Sequence, residues 1–473
     1  MTLLTDTQNF IDTVRSRHDF FRPNEEIIVT RAPGRLDVMG GVADYSGSLV
    51  LQLPIADATH VAIQKRSSTK LTILSLGNNT DDRFIEIELS EFLANGSPIE
   101  YADARARFSA PENHWAAYVT GVFLVLMRER NVRFDHGARI LIKSNVPEGK
   151  GVSSSAAIEV AVMKAVTSAF NITVGPEEVA TLCQILENLI AGAPCGIMDQ
   201  MTSACGKENE LLELLCQPDR LQGTLALPDE LNVWGIDSGV RHSVSGSDYG
   251  TVRTAAFMGY RMIAEIAGLK VSSSDDGRVS INDPKWHGYL ANISPDEFEK
   301  NYLTRLPETM NGSDFLNKYQ GTTDSVTRVK PETAYPVRKA TQHPIYENAR
   351  VHSFAAMLKN WHGLGEAAKL GALMFGSHQS YSDCGLGSEA TDLIVDLVRE
   401  ASTDGLYGAR ITGGGSGGTV AVLGHRDAID AIERVRQNYY AKTGYLPVLI
   451  AGSSPGAVTF DYLRLENIQR NTV

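Results

Sequence analysis

Residues Val146–Ala157 read VPEGKGVSSSAA and run without a break into IEVAVMKAVTSAF, ending at Phe170. After the serines at 153–155, only Glu159, Lys164, Thr167 and Ser168 interrupt the apolar run. A helix that is apolar on most sides is a buried one. Its entry is a turn carrying Gly149 and Gly151. Backbone N–H groups at such a turn, with the helix dipole behind them, form an anion site. Hydroxyls at that place can also reach a phosphate-bound Mg²⁺. The Walker A pattern does not fit, because Ser144 stands where its first glycine belongs and Gly151 follows Lys150. The plainer reading is a serine-capped core helix. Three serines and two glycines exceed what a cap needs, which favours phosphate.

Upstream, the chain reads as strands. Ile27–Thr30, Leu49–Ile55, His60–Lys65, Leu71–Leu76 and Arg83–Leu89 are short runs rich in β-branched and large apolar residues, punctuated by turns at Asn78-Asn79 and Asn95-Gly96. Trp115–Met127 reads as a helix and Arg139–Val146 as a strand leading into the glycine turn. Downstream, Glu177–Ile190 is a second amphipathic helix, with Val179, Leu182, Leu186 and Leu189 on one face. Leu231–Asp237 follows as a strand. Val271 to about His343 is polar and reads as an insertion with some helix. Helices are expected over Ala349–Asn360, Gly365–Tyr381, Glu389–Ala401 and Asp427–Lys442, with strands at Thr419–Leu423 and Leu446–Ala451. This mixed order is α+β. A domain change is expected near residue 220, giving units of 1–220 and 221–473.

The 473 residues are enough for two or three domains, and 43% hydrophobic with 21% charged residues is ordinary globular composition. A net charge of −12 makes nucleic acid an unlikely partner class. The N-terminal residues show no signal peptide, and Gly121–Met127 is too short to span a bilayer. Five cysteines without a CxxC pair predict a reduced, cytoplasmic protein.

Three further segments carry polar chemistry. Arg31–Pro54, RAPGRLDVMGGVADYSGSLVLQLP, places Arg35, Asp37 and Asp44 among glycine turns; the plain alternative is a polar loop between two strands. Ile411–Leu423, ITGGGSGGTVAVL, matches G-x-G-x-x-G formally at Gly413, Gly415 and Gly418, but a strand rather than a helix follows, which excludes the dinucleotide reading. It is either a backbone that something approaches closely or a mobile glycine loop. Glu187 and Asp199 bracket a Gly-Ala-Pro-Cys-Gly turn. One such carboxylate can hold Mg²⁺ while another orients or deprotonates a hydroxyl.

In this order the motifs resemble those of the GHMP small-molecule kinases, and of their galactokinase branch in particular. The CGIMDQ and RHSVSGSDY runs strengthen the likeness, which spans about residues 25–455. The resemblance implies a two-domain α+β fold with the active site between the domains, and ATP-dependent phosphorylation of a sugar's anomeric hydroxyl. It implies Asp199 as the aspartate at that hydroxyl, taking its proton or orienting it, with Arg35 stabilising charge. Asp44, Tyr249 and the backbone of Gly196 would contact the sugar. Ser155 and Glu187 would hold Mg²⁺, Gly149, Gly151, Ser153 and Ser154 would wrap the ATP phosphates, and Trp115 would lie near the adenine. Positioning and charge neutralisation are what phosphoryl transfer needs, and Arg35 is a permanent cation.

The chain departs from the galactokinase pattern at one place. Where galactokinases carry Glu-His-Thr, which bind the C6 hydroxymethyl group, this chain has Gly41, Val42 and Ala43. A site without partners for a hydroxyl loses its preference for the sugar bearing it. L-arabinopyranose is D-galactopyranose without C6. The segments GRLDVMGGVADYSGSLVLQLP and WGIDSGVRHSVSGSDYG resemble the kinase module of L-arabinokinases, larger members of which carry an extra N-terminal region that this chain is expected to lack. The expectation is therefore a kinase for L-arabinose, with D-galactose a weak substrate. A galactokinase or other sugar 1-kinase with a remodelled C6 pocket and a non-catalytic sugar sensor are the alternatives.

Overall fold

The computed structural model describes residues 4–77, 81–241, 247–274 and 277–466. The turn expected at Asn78-Asn79 and most of the RHSVSGSDY run lie outside them. Among the described residues, eight strands form one mixed sheet. It contains β1 (Ile27–Met39), β2 (Leu49–Lys65), β3 (Lys70–Leu76), β4 (Arg83–Glu88), β5 (Ala138–Ser144), β6 (Glu210–Leu215), β7 (Arg220–Ala226) and the closing strand Leu463–Leu465. Only β3 and β5 pair in parallel. A second, antiparallel sheet holds β8 (Leu231–Asp237), β9 (Leu406–Ile411), β10 (Thr419–His425) and the short strand Leu449–Ile450.

The strand rule of alternation holds in β3 and β4, where Leu71 faces Ile87 and Ile73 faces Ile85, while Lys70 pairs with Glu86 at 2.9 Å on the exposed side. It fails as a boundary signal in β1 and β2. The polar residues of Arg31–Met39 do not form a loop: they continue β1, buried throughout. The two expected strands Leu49–Ile55 and His60–Lys65 are one, because β2 pairs with β1 from Leu51 opposite Met39 to Ile63 opposite Ile28. Register shifts at Pro33/Arg35 and Asp37/Met39 mark bulges in β1, a device that re-aims side chains.

The helix opened by the serines is α2 (Ser154–Ala169), after α1 (His114–Glu129). It packs on β1, with Thr30 Oγ1 donating to the Ala161 carbonyl at 2.7 Å. Burial on nearly every side explains its composition. The next expected helix, Glu177–Ile190, is α3 (Pro176–Leu186) and then a π-turn, Glu187–Ala191. After it come α4 (Met198–Cys205) and α5 (Ser247–Ile266), neither of which the apolar pattern announced. The polar stretch at 271–343 contains one small hairpin, a short strand pair of Met310–Asn311 with Ala334–Tyr335, and two short helices. It ends early: α6 runs Val337–Lys359, twelve residues ahead of the expected start, with Pro344 buried inside it. Packing of α6 on α5 and α7 (Ala367–Asp383) overrides the proline. The expected strand over Leu446–Ala451 is reduced to Leu449–Ile450.

The two sheets meet over a shared apolar core. Leu36, Val38 and Leu51 of the first half pack with Phe354, Leu370, Met374 and Leu423 of the second. A fully buried ion pair, Arg410 to Asp37 at 2.8 Å, crosses the same seam. The strands change sheet between Ala226 and Leu231, and the closing strand returns to β1. Among the described residues, no helix is long and apolar enough to cross a membrane.

Candidate active site

A cleft of about 670 Å³, including its open mouth, lies where the phosphate turn, β1, the π-turn and the glycine turn between β9 and β10 converge. One wall is backbone. Ser153 adopts the left-handed conformation (φ 60°) at the start of α2, and its buried hydroxyl has no partner. Such a conformation is uncommon outside glycine and is held by its surroundings. The Gly413–Gly414 turn closes against the phosphate turn so tightly that a Cβ on Gly413 would sit 2.7 Å from the Gly151 carbonyl oxygen. The glycines of Ile411–Leu423 thus serve close approach.

The other wall is made of buried charge. The β1 bulge aims Arg35 inward. Its Nε and Nη2 donate to Asp199 Oδ1 at 3.0 and 2.7 Å, and its Nη1 donates to the Gly151 carbonyl at 2.8 Å. One guanidinium therefore ties the carboxylate at the start of α4 to the phosphate turn. Asp44 opens a one-turn 3₁₀ segment and is buried, with Oδ1 unpartnered. Its other oxygen rests on Gly196, where a Cβ would lie 1.6 Å away. Burial and the nearby Asp199 push its pKa up to about 6, against the opposing charge of Arg253. Tyr249, on α5, completes this wall.

Behind Asp199 lies an acidic cluster. Glu187 begins the π-turn, which turns its side chain into the cleft. Burial, then Asp199, pushes its pKa up to about 7, while hydrogen bonds with Ser155, Cys195 and Gln200 oppose the shift. Gln200 Nε2 donates to both Glu187 and Glu159. Glu159 is fully buried one turn after Ser155, and burial raises its pKa well above the usual carboxylate range. Excess buried negative charge beside a serine hydroxyl suits a divalent cation. Among the described residues, no three His, Cys, Asp or Glu side chains are grouped to hold a metal unaided.

Of the residues singled out in the sequence, Arg35, Val42, Asp44, Gly149, Gly151, Ser153, Ser154, Ser155, Glu187, Gly196, Asp199 and Tyr249 all line this one cleft. Gly41 and Trp115 do not. Trp115 is half-buried at the start of α1 and packs on the core of the first half. Gly41 lies beneath the cleft, where a Cβ would meet Asp37 Oδ2 at 1.9 Å and the Tyr381 hydroxyl at 2.2 Å.

Three family models match the chain. "Galactokinase galactose-binding signature" covers residues 17–65, "GHMP kinases N terminal domain" covers 117–207, and "GHMP kinases C terminal" covers 354–441. A galactokinase of Chloroflexus aurantiacus is 30% identical over 88% of this chain and 89% of its own length. The chain belongs to the GHMP kinase family. It is also 45% identical, over 96% of its length, to an L-arabinokinase of Arabidopsis thaliana, but spans only 48% of that protein. The fold matches the structure of Lactococcus lactis galactokinase complexed with galactose, with a TM-score of 0.73, 21% identity and coverage of 96% and 100% of the two chains. A mevalonate kinase shares it more distantly, with a TM-score of 0.52 and 14% identity over 90% and 99% of the two chains.

For a GHMP kinase, ATP is the phosphoryl substrate, and one wall of the cleft is backbone. Sequence reasoning missed Glu159, Gln200, Arg253 and Tyr381. Arg253 had a signal: it follows Tyr249 by one helical turn and so shares its face. Tyr381 had none, because only folding brings α7 against Gly41.

Proposed function

We propose that this GHMP kinase phosphorylates the anomeric hydroxyl of L-arabinose, giving L-arabinose 1-phosphate and ADP. The observation that carries the reading is the Arg35–Asp199 pair set between the phosphate turn and a sugar-sized wall that has no polar side chain at 41–43. Asp199 receives or orients the proton of the reacting hydroxyl, and Arg35 offsets charge on the transferring phosphoryl group. Asp44, Tyr249 and the Gly196 backbone hold the remaining hydroxyls, Val42 forms the apolar part of the wall, and Gly41 sets the course of the loop. Gly149, Gly151, Ser153 and Ser154 cradle the phosphates, and Trp115 is assigned to the adenine side. Ser155 and Glu187 would hold Mg²⁺, which when bound neutralises phosphate charge. The chain divides, in this reading, into sugar-and-phosphate and glycine-turn halves near residue 220.

The crowding over Gly41 supports the pentose. No side chain can stand there, so the glutamate that galactokinases use for C6 has no place. Val42, the cleft-lining residue beside it, is apolar and held at φ 57°. D-galactose is the second reading, supported by the galactose-binding signature over residues 17–65. An apolar wall rejects an extra hydroxyl only by roughly a hundredfold. ADP release with Mg-ATP, compared for the two sugars, tests the proposal. A kcat/KM at least tenfold higher for L-arabinose is expected. Equal or better use of D-galactose overturns it, and no turnover with either sugar favours a sensor.

A further inference from the structure

The polar stretch at 271–343 has no part in the reaction as derived above, yet one of its residues reaches the back of the sugar wall. Asp324 is almost fully buried and grips Arg253 with both oxygens, at 2.9 Å to Nε and 2.8 Å to Nη2. It is itself held by the N–H groups of Val326 and Thr327, at 3.1 Å each, and by the Thr327 hydroxyl at 2.6 Å. Thr327 is locked in turn to Thr254, the neighbour of Arg253 on α5, at 3.0 Å. Besides the Phe257 ring on its own helix, Arg253 reaches the sugar wall. Its Nη1 donates to the Cys195 carbonyl at 3.4 Å, steadying the turn whose Gly196 bears on Asp44. Its guanidinium lies 5.3 Å from the Tyr45 ring centre, next to Asp44 in sequence.

The geometry points to Asp324 as a positioning residue for the sugar site: it fixes Arg253 at a distance from which that cation supports Asp44 and the 194–196 turn without capturing the carboxylate. The inference rests on the reading of this wall as the sugar site. A fork-to-fork pair has a fixed geometry, so Arg253 cannot swing toward Asp44 while Asp324 holds it. The charged groups facing Asp44 are Asp199, Asp37 and Arg253. The Tyr45, Tyr249 and Tyr381 hydroxyls and the Cys216 thiol also lie beside it. Arg253 is the cation among them, so its position opposes burial and Asp199 in deciding how Asp44 ionises.

The two members of the pair therefore have opposite signatures. In Asp324→Asn the guanidinium is released toward Asp44, which is then occupied by it. The sugar KM should rise by about tenfold, with kcat and the ATP KM changed less than about threefold, and the acid limb of kcat/KM for the sugar should move to lower pH. In Arg253→Met the same limb should move to higher pH. Thr327→Val, a milder change that leaves the charges in place, should raise the sugar KM by about threefold. A ¹³C NMR titration of the Asp44 carboxyl, assigned with Asp44→Asn, needs no substrate and should show the same opposite displacements. Limbs or carboxyl titrations that move in one direction in both variants would overturn the inference, as would an unchanged sugar KM in a folded Asp324→Asn. If that variant does not fold, an unchanged sugar KM in Thr327→Val overturns it. Failure of the wild-type protein to use either sugar defeats the functional reading instead, and leaves the carboxyl titration to decide the role of Asp324.

Discussion

The two walls of the cleft are built on different principles. The phosphate wall is backbone: two turns, pressed together at Gly151 and Gly413, and the left-handed start of α2 at Ser153. The opposite wall is buried charge: Arg35 with Asp199, Asp44 on Gly196, and Arg253 with Asp324. Backbone N–H groups carry no net charge and do not titrate, so the backbone wall responds little to pH. Buried charges must be paired or displaced in pKa. On the proposed reading, the contrast teaches that nucleotide binding depends on close approach, whereas sugar binding depends on an electrostatic balance spread over several elements.

The comparison breaks most sharply at Asp199. Asp199→Ala should lower kcat by about a thousandfold, within the range of a lost acid–base or orienting group, while circular dichroism and melting temperature stay near those of the wild type. Activity within tenfold of normal would remove Asp199 from the chemistry. A probe of the backbone wall comes next. Gly413→Ala drives a methyl group to 2.7 Å from the Gly151 carbonyl and should cost roughly a hundredfold in kcat/KM for ATP, the scale of a small misplacement in a reacting geometry. The same measurement with the sugar varied at saturating ATP should show a much smaller change in sugar KM. If both change equally, the walls are not independent.

The smallest effect is one of stability, and it has a definite sign. The Asp44 carboxyl has its pKa raised by burial from 3.8 to about 6 in the folded protein. Between those values the folded state binds more protons than the unfolded one, so this group's contribution falls as pH rises from about 4 to about 6. Above pH 6 the penalty is complete, on the order of 3 kcal/mol by the usual conversion. Asp44→Asn should therefore melt a few degrees higher than the wild type at pH 7.5, and the gain should shrink toward pH 4. It should also bind sugar poorly, as expected where a site stores strain for function. A lower melting point for Asp44→Asn at pH 7.5 would mean that the ionised carboxylate is well compensated.

Sequence and structure agreed unevenly, and the pattern follows the same division. The phosphate turn, α2 and the glycine turn were legible because each is a local pattern of glycine, serine and apolar period. The strand β1 was not, since Arg31, Arg35 and Asp37 look like loop residues until their partners are known. Arg31 donates to Asp6 and Ser454, and Asp37 accepts from Gln52 and pairs with Arg410. The helix α6 was read short because Pro344 and a polar stretch hid its first three turns. Residues 271–343 read as a polar insertion with some helix, yet they deliver Asp324 to Arg253.

By itself, the amino-acid sequence determined the α+β character, the glycine-serine turn with its buried helix, the order of three motifs, and many, not all, of the residues that line the cleft. These are local or order-dependent properties, written in adjacent residues. Only the tertiary structure decided that Gly41 has no room for a side chain, that Glu187 turns inward from a π-turn, and that Arg253 is held from behind. Each of those depends on atoms dozens to hundreds of residues apart. Such contacts leave no periodicity in one chain, because steric exclusion and charge pairing act through space and not along the backbone.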